Sequence, residues 1–332
     1  MSTQAPKPSP LAAADALTPA LAAKLVLTAL LWGGTFVSGK VVANHLPPMV
    51  AAFGRYVVAA VLLLWVVKAV EGRLPRINRQ QGFITLGLGL TGIFLYNVFF
   101  FAALAHIPAG RTALLVALNP IITAMLASVV YRERLGPVRW LGIAIALVGA
   151  SIVITRGDLH AAMLDLRQSF GLGETMMLAA VVSWAVYTLI SRKAMQSLSP
   201  LAATTYASWW GLLMLSLSSA SELGGVAWAA VPWQVWLALL YLGAFGTVVA
   251  FVWYYEGVRA VGPSRTAVFT NLVPVFGVVL AAVVLGENIL VSMVVGGAVT
   301  VVGVMLTSRN VNVVVPPPNV DSKETQHARL RS

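Results

Sequence analysis

The groups in this sequence that could do chemistry are few, and most sit inside long apolar runs where a polar side chain is costly. Arg55 falls about two turns into the run 48–69. A guanidinium there can hold a carboxylate, lock one helix to another, or snorkel to the nearer interface. Asn97, Asn119 and Asn271 place amides within other apolar runs. Each must find a partner, by bonding helix to helix or by contacting a solute. Glu256, near the end of the run 233–257, is the carboxylate placed to face a bundle interior and relay a proton, with pairing to Arg259 as the alternative. Pro120 and Pro274 each delete a backbone donor in mid-run and free the carbonyl four residues earlier, at Val116 and Thr270. Such a break marks a packing kink or the wall of a cavity. Trp32, Tyr96, Trp184 and Tyr187 stand deep in their runs and suit either core packing or an amphipathic pocket for an organic solute.

This chemistry is recognition, not bond-making. His45, His106, His160 and His327 fall in loops or tails, and there is no HExxH, no Gly-rich phosphate loop and no serine nucleophile with an evident base. With no cysteine, disulfides and thiolate metal sites are excluded. An enzyme is not expected, nor is a cofactor or a metal.

The elements that must position these groups are membrane helices. The 332 residues are 59% hydrophobic and only 10% charged, too apolar for a soluble domain. Apolar runs long enough to cross a bilayer occur at roughly 21–43, 48–69, 82–104, 109–131, 137–155, 171–194, 200–220, 233–257, 263–285 and 289–308. The expected fold is therefore an all-α polytopic membrane protein of ten transmembrane helices. The net charge of +11 does not indicate nucleic acid, because the basic residues are scattered through short loops. With the N-terminus inside, 17 of the 22 Lys and Arg lie on the inner side, which puts both termini in the cytoplasm. Trp209, Trp210, Trp228, Trp233 and Trp236, near span ends, read as interfacial anchors.

The chain is also a duplication. Shifting 110–155 by 154 positions lays it without a gap on 264–309, with 14 identities in 46 positions. Arg111-Thr112-Ala113 falls on Arg265-Thr266-Ala267, Pro120 on Pro274, Glu133 on Glu287, Gly142 on Gly296 and Gly149 on Gly303. Five spans per copy is an odd number, so the second copy enters the membrane from the opposite side, giving two inverted five-helix repeats. The expected organisation is a disordered cytoplasmic tail over 1–18, a first repeat over 19–155, a linker over 156–170, a second repeat over 171–309, and a tail over 310–332. Glycines in spans 3, 5 and 10 should allow the close approach that apolar helices need in lipid. Glu133 and Glu287, at opposite faces, read as helix-end structure.

LLWGGTFVSGK at 30–40, LPPMVAAFGRYVVAAVLLL at 46–64, LNPIITAMLASVVYRERLGPVRWLGIAIALVGASIVI at 118–154 and VGPSRTAVFTNLVPVFGVVLAAVVLGE at 261–287 together resemble the EamA-type branch of the drug/metabolite transporter superfamily. The resemblance implies a bacterial inner-membrane carrier, often an exporter of amino acids and other metabolites, with a cavity lined by helices 1, 3, 4, 6, 8 and 9. On those helices this chain has Trp32, Tyr96, Asn97, Asn119, Trp184, Tyr187, Trp253 and Asn271, and its Arg55 matches the family's arginine near the start of helix 2. The expected partners are a small-molecule substrate, the lipid bilayer, and a proton or counter-solute, with a homodimer as a further alternative. Rival readings are an uptake carrier or exchanger for another organic metabolite, a channel, and a non-transporting membrane sensor or assembly protein.

Overall fold

The computed structural model describes residues 17–132, 135–157 and 171–308. The two expected tails, nearly all of the linker, and Glu133 lie outside these residues. Ten helices cross the described structure: α1 (Pro19–Ala43), α2 (Pro48–Glu71), α3 (Arg79–His106), α4 (Ala109–Val130), α5 (Pro137–Ile154), α6 (Leu172–Ala194), α7 (Pro200–Leu223), α8 (Trp233–Val261), α9 (Pro263–Thr270 continued by Val273–Leu285) and α10 (Val291–Ser308). Eight are long and apolar enough to span a bilayer by length and composition. Of the others, α10 is shorter, and α7 carries a run of Thr and Ser. The chain is an all-helical polytopic membrane protein built as two inverted five-helix repeats.

Local signals explain where the helices begin. Thr18 Oγ1 accepts from Leu21 N at 3.2 Å and Ser199 Oγ from Ala202 N at 3.1 Å, each satisfying an amide that a helix start leaves open. Asn78 and Gln81 form a reciprocal capping box at the head of α3, both bonds 2.9 Å. Proline stands at the first turn of α1, α2, α5 and α7, where its missing N–H costs nothing.

The repeats interlock instead of lying side by side. The first helix of each copy packs into the other copy: α1 against α8 and α9, α6 against α3 and α4. Further cross-repeat pairs include α2 with α7, α3 with α7, α4 with α9, α2 with α8 and α5 with α10. The α5–α10 pair is the closest. A Cβ on Gly149 would lie 2.5 Å from Thr300 N and one on Gly303 2.4 Å from Ala146 N, with Gly142 and Gly296 in equally tight contact. Lipid offers apolar helices no hydrophobic reason to associate, so this backbone-to-backbone approach, possible only with glycine, supplies the dispersion contacts that hold the pair.

Replacing Gly303 by Val should therefore drive a side chain into the α5 backbone. The expected outcome is a large fall in thermal stability in detergent or loss of folded protein, while Gly82→Ala, with nothing within 4 Å of the added carbon, leaves the melting temperature unchanged.

Candidate functional site

The interior between the repeats is lined by a connected series of aromatic rings. Trp32 of α1 meets Phe251 and Tyr254 of α8, with ring centroids 5.6 and 5.3 Å apart. Trp184 of α6 meets Tyr96 of α3 at 5.0 Å, Tyr187 at 5.0 Å and Phe251 at 6.4 Å. Tyr96 stacks on Phe100 at 5.8 Å, and Phe251 contacts Tyr255 at 5.8 Å. Glycine makes room for these rings: a Cβ on Gly92 would lie 2.2 Å from the Tyr187 ring. The series has polar handles as well, since Trp32 Nε1 donates to Gly246 O at 3.2 Å and Tyr255 shares a 2.7 Å hydrogen bond with Thr204.

Four of the aromatic residues expected at a pocket, Trp32, Tyr96, Trp184 and Tyr187, are thus brought together. The rings pack on one another, and the crevice beside them lies between α1, α8 and α9, reached past Leu25, Thr28, Phe269 and Thr270. Trp253 makes none of these ring contacts among the described residues; its neighbours Phe251, Tyr254 and Tyr255 do. Phe251, Tyr254 and Tyr255 share a helix face with Thr247 at spacings of three and four residues, whereas Trp253 is turned about 100° off its neighbour. That spacing was the available signal for Phe251.

Arg55 is buried, at 6% exposure, so it does not snorkel. Its Nη1 donates to Asn97 Oδ1 at 2.9 Å, while Nε and Nη2 donate to Thr247 Oγ1 at 3.3 and 3.2 Å. Asn97 Nδ2 in turn donates to Ile93 O at 2.8 Å and Thr247 Oγ1 to Leu242 O at 2.9 Å. Both acceptor helices are widened where this happens: α3 is π-helical over Gly89–Leu95 and α8 over Tyr241–Val249. Shifting α3 by the repeat length lays one widening on the other, so each copy kept the same irregularity. The guanidinium of α2 therefore ties the α3 of its own repeat to the α8 of the other through neutral acceptors, and among the described residues no carboxylate lies within ion-pair distance of it.

Pro120 and Pro274 stand just after breaks in their helices. α4 is interrupted between Val116 and Asn119 and α9 between Thr270 and Val273. At each gap the chain turns on three-residue hydrogen bonds, Leu118 N to Leu115 O and Leu272 N to Phe269 O, both 3.1 Å. Asn119, at the α4 break, has its Oδ1 buried without a protein partner among the described residues. Asn271 closes the first half of α9 and is half-buried.

The expectation for Glu256 needs correcting. Glu256 faces the surface, at 48% side-chain exposure, and pairs with Lys24 of α1 at 2.7 Å instead of Arg259. At that exposure the pair contributes about 0–1 kcal/mol and is no interior relay. The buried carboxylate is Glu174, overlooked in sequence because its cation, Arg111, belongs to the other repeat. The two are 2.7 Å apart and almost fully enclosed. Glu287 sits at a helix end, where it accepts from Ala109 N at 2.7 Å and Gly110 N at 2.9 Å at the head of α4.

An inverted pair of five-helix repeats, crossed through one another around an amphipathic interior, defines a membrane transporter. A family model described as the EamA-like transporter family matches residues 20–155 and again 171–309. The chain belongs to the EamA-like transporter family. It is 29% identical over 292 residues to a Bacillus subtilis protein named uncharacterized transporter YyaM, covering 88% of this chain and 93% of that one. It is 31% identical over 286 residues to a probable terminal-alkyne amino-acid exporter of Streptantibioticus cattleyicolor, covering 86% and 92%. Over 286 residues it is 29% identical to a probable amino-acid metabolite efflux pump of Salmonella typhimurium, covering 83% and 90%. A solved structure 20% identical in sequence superposes with a TM-score of 0.60 over 87% of this chain and 96% of that one, a likeness of fold.

Removing an acceptor from the Arg55 cluster should strand donors of a buried charge. Asn97→Leu is expected to lower stability by about 1.5–3 kcal/mol. In a double-mutant cycle with Arg55→Met much of that loss should disappear, because the cost comes from the unpaired guanidinium; thermal unfolding in detergent reads both.

Proposed function

We propose that this transporter exports a small amphipathic metabolite, an amino acid or a close relative, across the bacterial inner membrane. The carrying observation is the aromatic series drawn from α1, α3, α6 and α8, in which both repeats contribute to one interior. Such a lining accommodates the apolar body of an organic solute better than a bare ion path would. Trp32, Tyr96, Trp184 and Tyr187 supply the walls. Arg55, held by neutral groups, is available to a substrate carboxylate, and Asn97, Asn119 and Asn271 are available to its remaining polar groups. Two relatives carry names that refer to amino-acid export or efflux of amino-acid metabolites, and amino acids are the first class to test for that reason.

Orientation follows from charge. On the side to which the sequence assigns both termini fall 17 of the 22 basic residues, and the positive-inside rule supports reading that side as cytoplasmic. The solute moves by alternating access: the repeats rock about the interior, and the broken helices α4 and α9 supply joints at equivalent positions. A proton or a counter-solute drives the cycle. Binding and release of an unaltered solute, with no bond made or broken, account for the groups present, so the function is not enzymatic.

The test is counterflow into proteoliposomes preloaded with unlabelled amino acid. Saturable entry of the same radiolabelled compound is expected for one chemical class; silence across amino acids and their relatives, with folded protein, would overturn the substrate assignment. Arg55→Lys should cut flux of a carboxylate substrate by about tenfold or more, since a point charge does not reproduce a two-pronged donor. Pro120→Ala and Pro274→Ala should each slow counterflow while leaving expression intact, and unchanged flux in both would remove the joints from the mechanism.

A further inference from the structure

At the end of the bundle where α1 begins and α10 ends, the head of α3 and the tail of α6 leave a groove of about 550 Å³, lined by Arg79, Gln80, Phe83, Ile84 and Lys193. Its two walls belong to different repeats. Deeper in the same seam the helices close, since a Cβ on Gly87 would lie 3.5 Å from Ile190 Cδ1, so the opening lies toward the helix ends. Arg79 and Lys193 stand at its mouth. Phe83, 64% exposed, and Ile84 form its apolar side one turn further into the span that begins near 82. The guanidinium of Arg79 sits over the Phe83 ring, 6.0 Å from its centroid.

We propose that this groove binds an anionic phospholipid, with the phosphate held between Arg79 and Lys193 and an acyl chain laid along Phe83 and Ile84. Charge complementarity is the first ground. Among the described residues neither cation has an ion pair. The carboxylates described at this end are engaged elsewhere, Glu71 by the Ser199 hydroxyl at 2.6 Å and Glu256 by Lys24 at 2.7 Å. The head of α3 adds the positive end of a helix dipole to the two side chains. A phosphodiester supplies a counter-anion whose free oxygens accept from the fork of Arg79 and from the ammonium of Lys193. The apolar side is the second ground, and it selects a lipid over a soluble phosphate. Phe83 and Ile84 lie within an apolar span, where the neighbour is an acyl chain and not water. A basic mouth at the level of a span end, above an apolar seam between two helices, suits a charged headgroup with its chain running below. A zwitterionic phospholipid fits less well, because its own cation would be set against Arg79 and Lys193.

Arg79 belongs to the first repeat and Lys193 to the second, so one phosphate bridges the two halves of the molecule. The lipid ties α3 to α6 across their seam without reaching the aromatic interior, for Lys193 lies about two and a half turns along α6 from Trp184. The site is therefore separate from solute recognition. Its occupancy depends neither on which solute is carried nor on the direction of transport.

The test is native mass spectrometry of the full chain released from detergent micelles doped with equal amounts of phosphatidylglycerol and phosphatidylcholine carrying the same acyl chains. The retained lipid should favour phosphatidylglycerol by about thirtyfold, a ratio equivalent to about 2 kcal/mol and on the scale of two basic residues meeting one anionic headgroup. Arg79→Gln combined with Lys193→Gln should abolish that preference. Arg73→Gln combined with Arg76→Gln removes the same charge from the neighbouring loop and should leave the preference intact. If the first double variant is not recovered folded, Arg79→Gln and Lys193→Gln singly should each lower the ratio by about fivefold. Glycerol 3-phosphate in large excess should not displace the lipid. No preference in the unaltered protein, or equal losses in both double variants, would reduce the binding to general surface charge and overturn the proposal. Displacement by glycerol 3-phosphate would overturn it as well, by making the ligand a soluble phosphate ester.

Discussion

A polar group in the hydrocarbon layer has no water to fall back on, and that constraint orders this structure more than any single contact. The guanidinium of Arg55 illustrates it. Buried in α2, it must be met by acceptors on its neighbours, and both helices that supply them depart from α-helical geometry over the stretch concerned. A regular helix commits every carbonyl to its own ladder. Carbonyls of these stretches also take side-chain donors: Ile93 O accepts from Asn97, Leu242 O from Thr247 and Gly246 O from the indole of Trp32. The aromatic interior and the buried cation are thus joined through the same two irregular segments.

The duplication distributes that irregularity evenly, then breaks its symmetry at the side chains. Breaks at 117–118 and 271–272, widened segments in α3 and α8, and the glycine contacts of α5 with α10 all recur under one shift of the sequence. Several polar groups do not recur. Asn97 falls on Phe251, Thr247 on Ile93 and Asn119 on Val273. Symmetric backbones with unequal side chains give an interior to which each repeat brings different polar groups and rings.

Much of the fold was legible because its determinants are local or repeated. Apolar run length sets the helices, proline sets the breaks, and one alignment of the chain with itself sets the inversion. The site was only partly legible. Trp32, Tyr96, Trp184 and Tyr187 could be picked out by depth within their runs, but choosing among the aromatics of α8 required helical phase, and the attraction of Trp253 outweighed the better-phased Phe251. The Glu174–Arg111 pair could not be read at all, since its members are far apart in sequence, on different repeats, and each stands near a span end where a solvated charge is the ordinary expectation. Glu256 was misplaced for the converse reason: nothing in its own segment reveals that Lys24 of α1 meets it at the surface.

The distribution of ionic contacts between the two ends carries the last step. At the end that bears the termini, Lys24 and Glu256 meet in the open, where water competes for both and separation costs little. At the other end, Arg111 and Glu174 meet in an enclosed place, where separation is expensive unless the charge itself is removed. Among the described residues one end thus carries an exposed ion pair and the other a buried one. That inequality distinguishes two geometrically similar halves, and it arises from where the charges fall, not from any difference in the helices that carry them.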